Sequence, residues 1–428
     1  MYQRVWTCMI ACAWLAGTAG AAGFSIFEQG AAATAEAGAF VARASDPTAI
    51  FYNPAGIARQ PGGVSVGATL IATKTDFSGD NPFPGVGVTE KMKDGLYYPP
   101  HAYLVAPIGP VRLGLGVFAP FGLGTEWPDS FSGRASSTKS VIQTFYFNPV
   151  AAIDVTSLGP LRAVSKGVKV SLGAGVQAVY STVELNRIAR QPVATEWRDV
   201  AKLHLTGSNG TGDLTYGFNA GAQVEFGSHV TVGASYRSKA AVDYTGTAAF
   251  EILDPLAQGG LPHTADVSTT INYPAIMGIG LAVRPFSRLA IEVDVLQMNW
   301  STFDTLGITF DDPLWASLGE KIPELYKNAR SYRIGAEYRI DRRLAVRGGY
   351  LYDESPSPTE AVSTLLPDAN RNSFMVGLGY TMGSTQIDLS YMWLRFLDRS
   401  TGGVNRAGYE GLYRSSANLY GLTITQRL

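Results

Sequence analysis

Two-residue alternation of apolar and polar side chains, repeated along most of the chain after Gly62, is the feature that most limits what this sequence can fold into. Val168, Val170, Leu172, Ala174, Val176, Ala178 and Tyr180 alternate with Lys169, Ser171, Gly173, Gly175, Gln177 and Ser181. Side chains of a strand point alternately to its two faces, so this run is a strand with one apolar and one polar side. The same pattern sets Leu289, Ile291, Val293 and Val295 against Glu292 and Asp294, and Tyr332, Ile334, Ala336, Tyr338 and Ile340 against Arg333, Glu337 and Arg339. It recurs with Ile387, Leu389, Tyr391 and Trp393 against Gln386, Asp388 and Ser390.

Roughly 14 such segments can be counted, an even number as in bacterial membrane barrels. They are expected at Gly63–Phe77, Tyr97–Ile108, Val111–Gly122, Thr138–Val155, Gly167–Arg187, Asp213–Phe226 and His229–Phe250. The second half of the series is Thr264–Arg284, Arg288–Trp300, Ala329–Ile340, Arg342–Tyr352, Arg371–Met382, Ser384–Phe396 and Tyr413–Leu428. Short connections, such as Gly109-Pro110, Gly227-Ser228 and Gly383-Ser384, alternate with long ones, such as Ile188 to Gly212, Ser301 to Asn328 and Asp353 to Asn370. Bacterial barrels have short periplasmic turns and long outer loops, which puts both chain ends on the periplasmic side. Within the loop 301–328, Leu318, Ile322 and Leu325 stand at helical spacing and predict a short helix over Trp315 to Tyr326.

Composition agrees with a membrane barrel. The chain is 46% hydrophobic and only 16% charged, yet no stretch reaches the roughly 20 apolar residues that a membrane helix requires. A large soluble sandwich fits these numbers less well. Arg4, the apolar run Val5 to Ala16 and the small residues Ala19-Gly20-Ala21 read as a signal peptide over residues 1–21. Both cysteines, Cys8 and Cys12, fall within it, so the exported chain is expected to form no disulfide. Loss of Arg4 takes the formal charge from −1 to −2, which offers nothing to a nucleic acid. No repeat of propeller or solenoid length is present.

Between leader and strands lies GFSIFEQGAAATAEAGAFVARASDPTAIFYNPAGI, residues 23–57. It is too alanine-rich for a strand, and Pro47 and Pro54 each push the preceding residue out of helix. Residues 22–57 therefore read as a compact, partly helical plug, with a barrel over 62–428 closing around it. The start Gly23-Phe24, the pair Glu28-Gln29, the block Ala37-Gly38-Ala39-Phe40, Asp46, and Phe51-Tyr52-Asn53-Pro54-Ala55-Gly56 resemble the N-terminal hatch of the FadL family of outer-membrane hydrocarbon and fatty-acid transporters. The resemblance continues through Tyr97-Tyr98-Pro99-Pro100, Ala119-Pro120-Phe121-Gly122, Tyr236-Arg237-Ser238-Lys239 and Pro367-Asp368-Ala369-Asn370-Arg371. Two departures stand out: Ala35-Glu36 replaces a glycine pair, and Leu428 replaces a terminal aromatic.

Pro120 cannot donate to a ladder and interrupts an alternating strand, so it breaks pairing locally in the barrel wall; the resemblance implies that Ala119, Pro120, Phe121 and Gly122 border a wall opening there. Pro120 could equally mark the upper end of an ordinary strand. The resemblance implies that Asn53, Pro54 and Ala55 form a gate beside that opening, with Phe24, Phe27 and Glu28 in the hatch's N-terminal segment. Charged residues on the polar strand faces have two readings. They form a paired network that holds the plug, or one of Arg333, Arg347 and Arg237 receives the head group of a ligand. The four histidines have no metal-ligand spacing, and no motif favours catalysis, so no metal, cofactor or catalytic residue is expected.

The resemblance implies passive uptake of long-chain fatty acids or aromatic hydrocarbons. Capture would occur at outer loops, storage in an apolar pocket above the hatch, and release sideways through the wall. The partners it implies are the hydrophobic substrate, outer-membrane lipid and the outer-membrane assembly machinery, with the protein a monomer. A general porin and a barrel enzyme or adhesin remain as other classes.

Overall fold

A computed structural model of the protein describes residues 23–158, 167–193, 196–210, 212–255 and 260–428. The expected signal peptide lies outside these residues. Fourteen strands close into one antiparallel barrel. They are β1 (Gly63–Gly79), β2 (Pro100–Ile108), β3 (Val111–Phe118), β4 (Lys139–Asp154), β5 (Val168–Val193), β6 (Thr215–Phe226) and β7 (Val230–Arg237). The circuit continues with β8 (Ile276–Phe286), β9 (Leu289–Met298), β10 (Ala329–Arg339), β11 (Leu344–Asp353), β12 (Arg371–Met382), β13 (Thr385–Phe396) and β14 (Gly411–Arg427). Each pairs with the next, and β14 returns to β1 with Arg427 opposite Gly63 and Gly411 opposite Gly79. Closure gives each of the fourteen strands a neighbour on both sides, the condition for a sheet to cross lipid.

The alternation sorts as expected. Val293, Val295, Ile334, Leu389, Tyr391 and Trp393 face outward, while Ser171, Glu292, Asp294, Arg333 and Asp388 are buried inside. The turns after β6 and β12 are made by Gly227 and Gly383, both in the left-handed region at φ 59° and 63° that glycine adopts without strain.

Differences from expectation concentrate in the outer half. The segment 188–212, expected as a loop, carries a strand at Glu196–Ser208 that pairs with an extended β5, from Val193 opposite Glu196 to Thr182 opposite Ser208. Ala201, Leu203 and Leu205 are buried on its inner face, an alternation with Lys202, His204 and Thr206 that was present in the sequence. The expected strands His229–Phe250 and Thr264–Arg284 are each divided, the first into β7 and Ala240–Ile252, the second into Thr264–Tyr273 and β8. Pro274, which has no N–H to give, lies at the second division. The helix expected over 315–326 is replaced by a single turn, Ala316–Leu318, and a hairpin of Thr305–Phe310 with Glu320–Pro323. Gly319 is extended and Pro323 removes a helix donor, so the apolar spacing never becomes a helix.

The lumen holds the plug. Alanine-rich Ala31–Ala35 forms one short helix, Ala49–Tyr52 a second, and Pro54–Arg59 a 3-10 helix. Asn53 is extended, accepts a hydrogen bond from the Ala55 amide, and precedes Pro54 in the first helical position, a standard helix start. Charged strand residues fasten the plug. Asp294 accepts hydrogen bonds from the Phe40 and Val41 amides at 2.8 and 3.0 Å. Glu292 accepts from the Ala42 and Arg43 amides at 2.6 and 3.0 Å. Arg43 pairs with Glu36 and Glu292, and Arg347 pairs with Glu36, Glu337 and Asp388 at 3.5, 2.9 and 2.7 Å. Glu36, a departure from the hatch pattern, is thus the meeting point of two buried arginines.

Candidate substrate pocket and wall opening

The third strand is interrupted where the sequence expectation put the break. The β3–β4 ladder ends at Phe118 opposite Tyr146 and resumes at Gly122 opposite Gln143. Three residues, Ala119, Pro120 and Phe121, therefore oppose two, Thr144 and Phe145, which is a β-bulge with one extra residue. The Thr144 hydroxyl replaces the lost ladder bonds, donating to the Phe121 carbonyl at 2.7 Å and accepting from its amide at 3.2 Å. Pairing then continues over Gly122–Glu126, so Pro120 lies within a bent strand rather than at its end. On the other side, β2 has its last partner at Val117.

Beyond Val117 the plug supplies partners to the bent stretch. Ile26 N–H donates to the Pro120 carbonyl at 2.7 Å, Gly122 N–H donates to the Phe24 carbonyl at 2.8 Å, and Gln29 Nε2 donates to the Ala119 carbonyl at 2.7 Å. Ser25 stands opposite Phe121 as an isolated antiparallel bridge. The hatch segment at the kink is therefore Phe24 to Gln29, not Asn53-Pro54-Ala55. Asn53 Nδ2 donates to the carbonyls of Val41 at 2.7 Å and Ala222 at 3.1 Å. The Pro54 backbone lies against Gly173, which sets the triplet on the β5–β6 wall. The capping role that makes Asn53 recognisable in sequence also locks its amide into the plug. A Cβ at Gly221 would strike Asn53 Oδ1, so glycine is what allows this close approach.

Above the plug is a narrow apolar pocket with about 80 Å³ of free space, walled by Leu123, Ile142, Leu185, Leu205, Val267 and Ile308. Its floor is Phe24, whose ring packs edge-on against Trp300, Phe303 and Tyr273 at centroid distances of 4.6, 5.3 and 5.7 Å. Glu324, Tyr326, Leu365 and Leu366 of the outer loops complete the lining. Phe24 thus belongs to both features: its ring closes the pocket, and its carbonyl holds the bulge.

None of the three candidate cations lines this pocket. Arg333 lies 4.3 Å from the centre of the Phe27 ring and donates to Ser331 and the Gly38 carbonyl. Arg347 is held by its three carboxylates. Arg237 donates to the Phe51 carbonyl at 2.8 Å and lies over the Phe51, Phe118 and Tyr146 rings, with Nη1 lacking a hydrogen-bond partner among the described residues. Glu28 is buried, and its carbonyl accepts from the Thr69 hydroxyl. Thr144, Gln29 and Glu324 were missed from sequence; only Gln29, beside Glu28 in the hatch block, carried a signal. Below the plug lies a larger basin of about 760 Å³ lined by Arg288, Arg339, Arg342, Arg343 and Arg427 with Glu337 and Asp46.

A closed barrel with an apolar outer face, an internal N-terminal plug and an apolar pocket above it defines an outer-membrane transport barrel. Residues 12–428 match the family described as "Outer membrane protein transport protein (OMPP1/FadL/TodX)", and the chain belongs to it. It is 27% identical over 402 residues to outer membrane protein P1 of Haemophilus influenzae, covering 85% of this chain and 82% of that one. It is 24% identical over 364 residues to the long-chain fatty acid transport protein of Escherichia coli K12, covering 77% of each. Among solved structures it superposes on a Pseudomonas aeruginosa FadL homologue with TM-score 0.80 at 20% identity, covering 95% of this chain and all of that one. The Ralstonia pickettii toluene transporter TbuX gives TM-score 0.69 at 20% identity, covering 94% of this chain and all of that one. Family members are transporters or channels rather than enzymes, and the protein is an outer-membrane barrel of a Gram-negative bacterium.

Proposed function

We propose that the protein takes up small hydrophobic molecules passively, capturing them at the outer loops, holding them above the hatch and releasing them into the membrane through the wall bulge at Ala119 to Gly122. The observation that carries this reading is Phe24, which closes the pocket floor and bonds the bulge at once. Displacing residues 24–29 would open the floor and free the bent strand in a single movement. The alternative route leads through the plug into a basin lined with arginines, where an apolar solute loses about 25 cal/mol for each Å² of apolar surface returned to water. Lipid imposes no such cost. Long-chain fatty acids and aromatic hydrocarbons are the candidate cargoes, since relatives bear the names of transporters for both. The remaining partners are the membrane lipid that receives the cargo and the outer-membrane assembly machinery, and the barrel acts as a monomer. The Asn53-Pro54-Ala55 triplet serves as the plug's fastening to the wall.

Deleting Ala119 tests this. It removes the extra residue and restores a continuous β3–β4 ladder. Uptake of labelled toluene by cells should fall while heat-modifiable gel mobility still reports a folded barrel. Undiminished uptake in a folded deletion variant would overturn the lateral route.

A further inference from the structure

Among the described residues, the pocket lining contains no lysine, arginine or histidine. Its charged members are two glutamates. Glu184 is satisfied, pairing with Lys139 at 2.9 Å and accepting from Asn186 Nδ2 at 2.9 Å. Glu324 is not: it is only 5% exposed, and its carboxyl has no hydrogen-bond or ionic partner among the described residues. Its backbone is fixed by donation to the Asp304 carbonyl at 2.8 Å, so the side chain is held against the pocket. Thr269 Oγ1, also in the lining, is buried without a hydrogen-bond partner among the described residues. Ligand sites of this kind are mostly apolar with a few placed polar groups that fix orientation. Here those groups are a carboxyl and a hydroxyl.

Resting on the transport reading above, we infer that the pocket selects uncharged hydrophobic molecules carrying one hydrogen-bonding oxygen, such as an alcohol, a ketone or a protonated acid, with Glu324 as the group that holds the oxygen. An ionised carboxylate would enter an apolar cavity with no cation to meet it, and leaving a charge unpaired in such a place is far more costly than leaving a neutral polar group. A neutral oxygen asks only for a donor. Burial pushes the Glu324 carboxyl up to about 8, so at neutral pH it carries the proton that such an oxygen accepts. The Tyr326 phenol shares this loop and lining and is itself pushed up by burial and by Glu324 and Asp368, so it adds no charge.

The test is equilibrium dialysis of the full-length barrel in amphipol against labelled 1-octanol, octanoate and octane at pH 7. Octanol should bind roughly tenfold more tightly than octane, the range expected for one buried hydrogen bond, and octanoate, whose charge has no cation to meet, should bind more weakly than octanol. Glu324→Leu should remove octanol's advantage over octane, and Glu324→Gln, which still donates, should keep most of it. Octanoate binding as tightly as octanol, or octane binding as tightly as octanol, would overturn this inference alone. Failure of all three to bind would overturn the transport reading along with it.

Discussion

Replacing Asn53 by alanine probes how the plug is held. Asn53 is fully buried, and its amide makes three hydrogen bonds, to the Val41 and Ala222 carbonyls and from the Ala55 amide. Alanine leaves buried backbone groups unpaired at roughly 1–3 kcal/mol each. Loss of the helix cap adds about 1 kcal/mol, so the plug's attachment should weaken by several kcal/mol. Gly221→Ala attacks the same junction from the wall, since the new methyl meets Asn53 Oδ1, an overpacking of about 1–3 kcal/mol. In the double variant the amide is gone and the methyl fits. The two changes should therefore cost less together than their sum by about 1 kcal/mol or more. Limited proteolysis of the plug across a urea series measures attachment, with heat-modifiable mobility as the control for the barrel. Additive effects, or loss of barrel and plug at the same urea concentration, would refute the junction as described.

Ile334→Arg on the lipid face should cost on the order of 2–4 kcal/mol near the bilayer midplane, and a lysine at Ser390 inside the lumen less, as read by urea unfolding in vesicles. Glu324 binds a proton in the folded protein up to about pH 8 but near 4.5 when unfolded. Its contribution is therefore complete below pH 4.5 and is lost as pH rises toward 8, by at most about 1.4 kcal/mol per unit. Protection factors of the amides in the loop containing Glu324, taken relative to intrinsic exchange at each pH, should fall over that window and stay constant in Glu324→Gln. A protease-cleavable tag within Asp353–Asn370 should be cut on intact cells and one at Gly383-Ser384 should not; the reverse would invert the topology.

Barrel and strand faces were legible because both rest on local periodicity, and Ile334, Leu389 and Glu292 fall on the sides their alternation assigns. The outer half was harder. Glu196–Ser208 alternates as cleanly as a wall strand, yet lies in a stretch whose length marks it as a loop. The helical spacing of Leu318, Ile322 and Leu325 is overridden by Gly319 and Pro323. Pro120 announced the bulge, because a missing N–H is visible in sequence. Its partners did not: Thr144 and Ile26 contribute a hydroxyl and a backbone amide, and those depend on which residues the closed barrel brings together. Asn53 illustrates the opposite error, a recognisable motif placed at the wrong wall. Glu324 left no trace, since an isolated loop carboxylate is ordinarily solvated.

The central claim, that release requires the hatch segment to part from the bulge, is tested most directly by tying the two together. Ser25 and Phe121 face one another as antiparallel partners, within the separation a disulfide spans. The only cysteines of the chain are Cys8 and Cys12 in the expected leader, so a Ser25→Cys, Phe121→Cys pair would have no competitor. Uptake of labelled toluene is then compared in one population of cells before and after reduction, which cancels the effect of losing the Phe121 ring. The oxidised protein should bind toluene but fail to deliver it, and reduction should restore delivery. Equal uptake in the oxidised and reduced states would contradict the account.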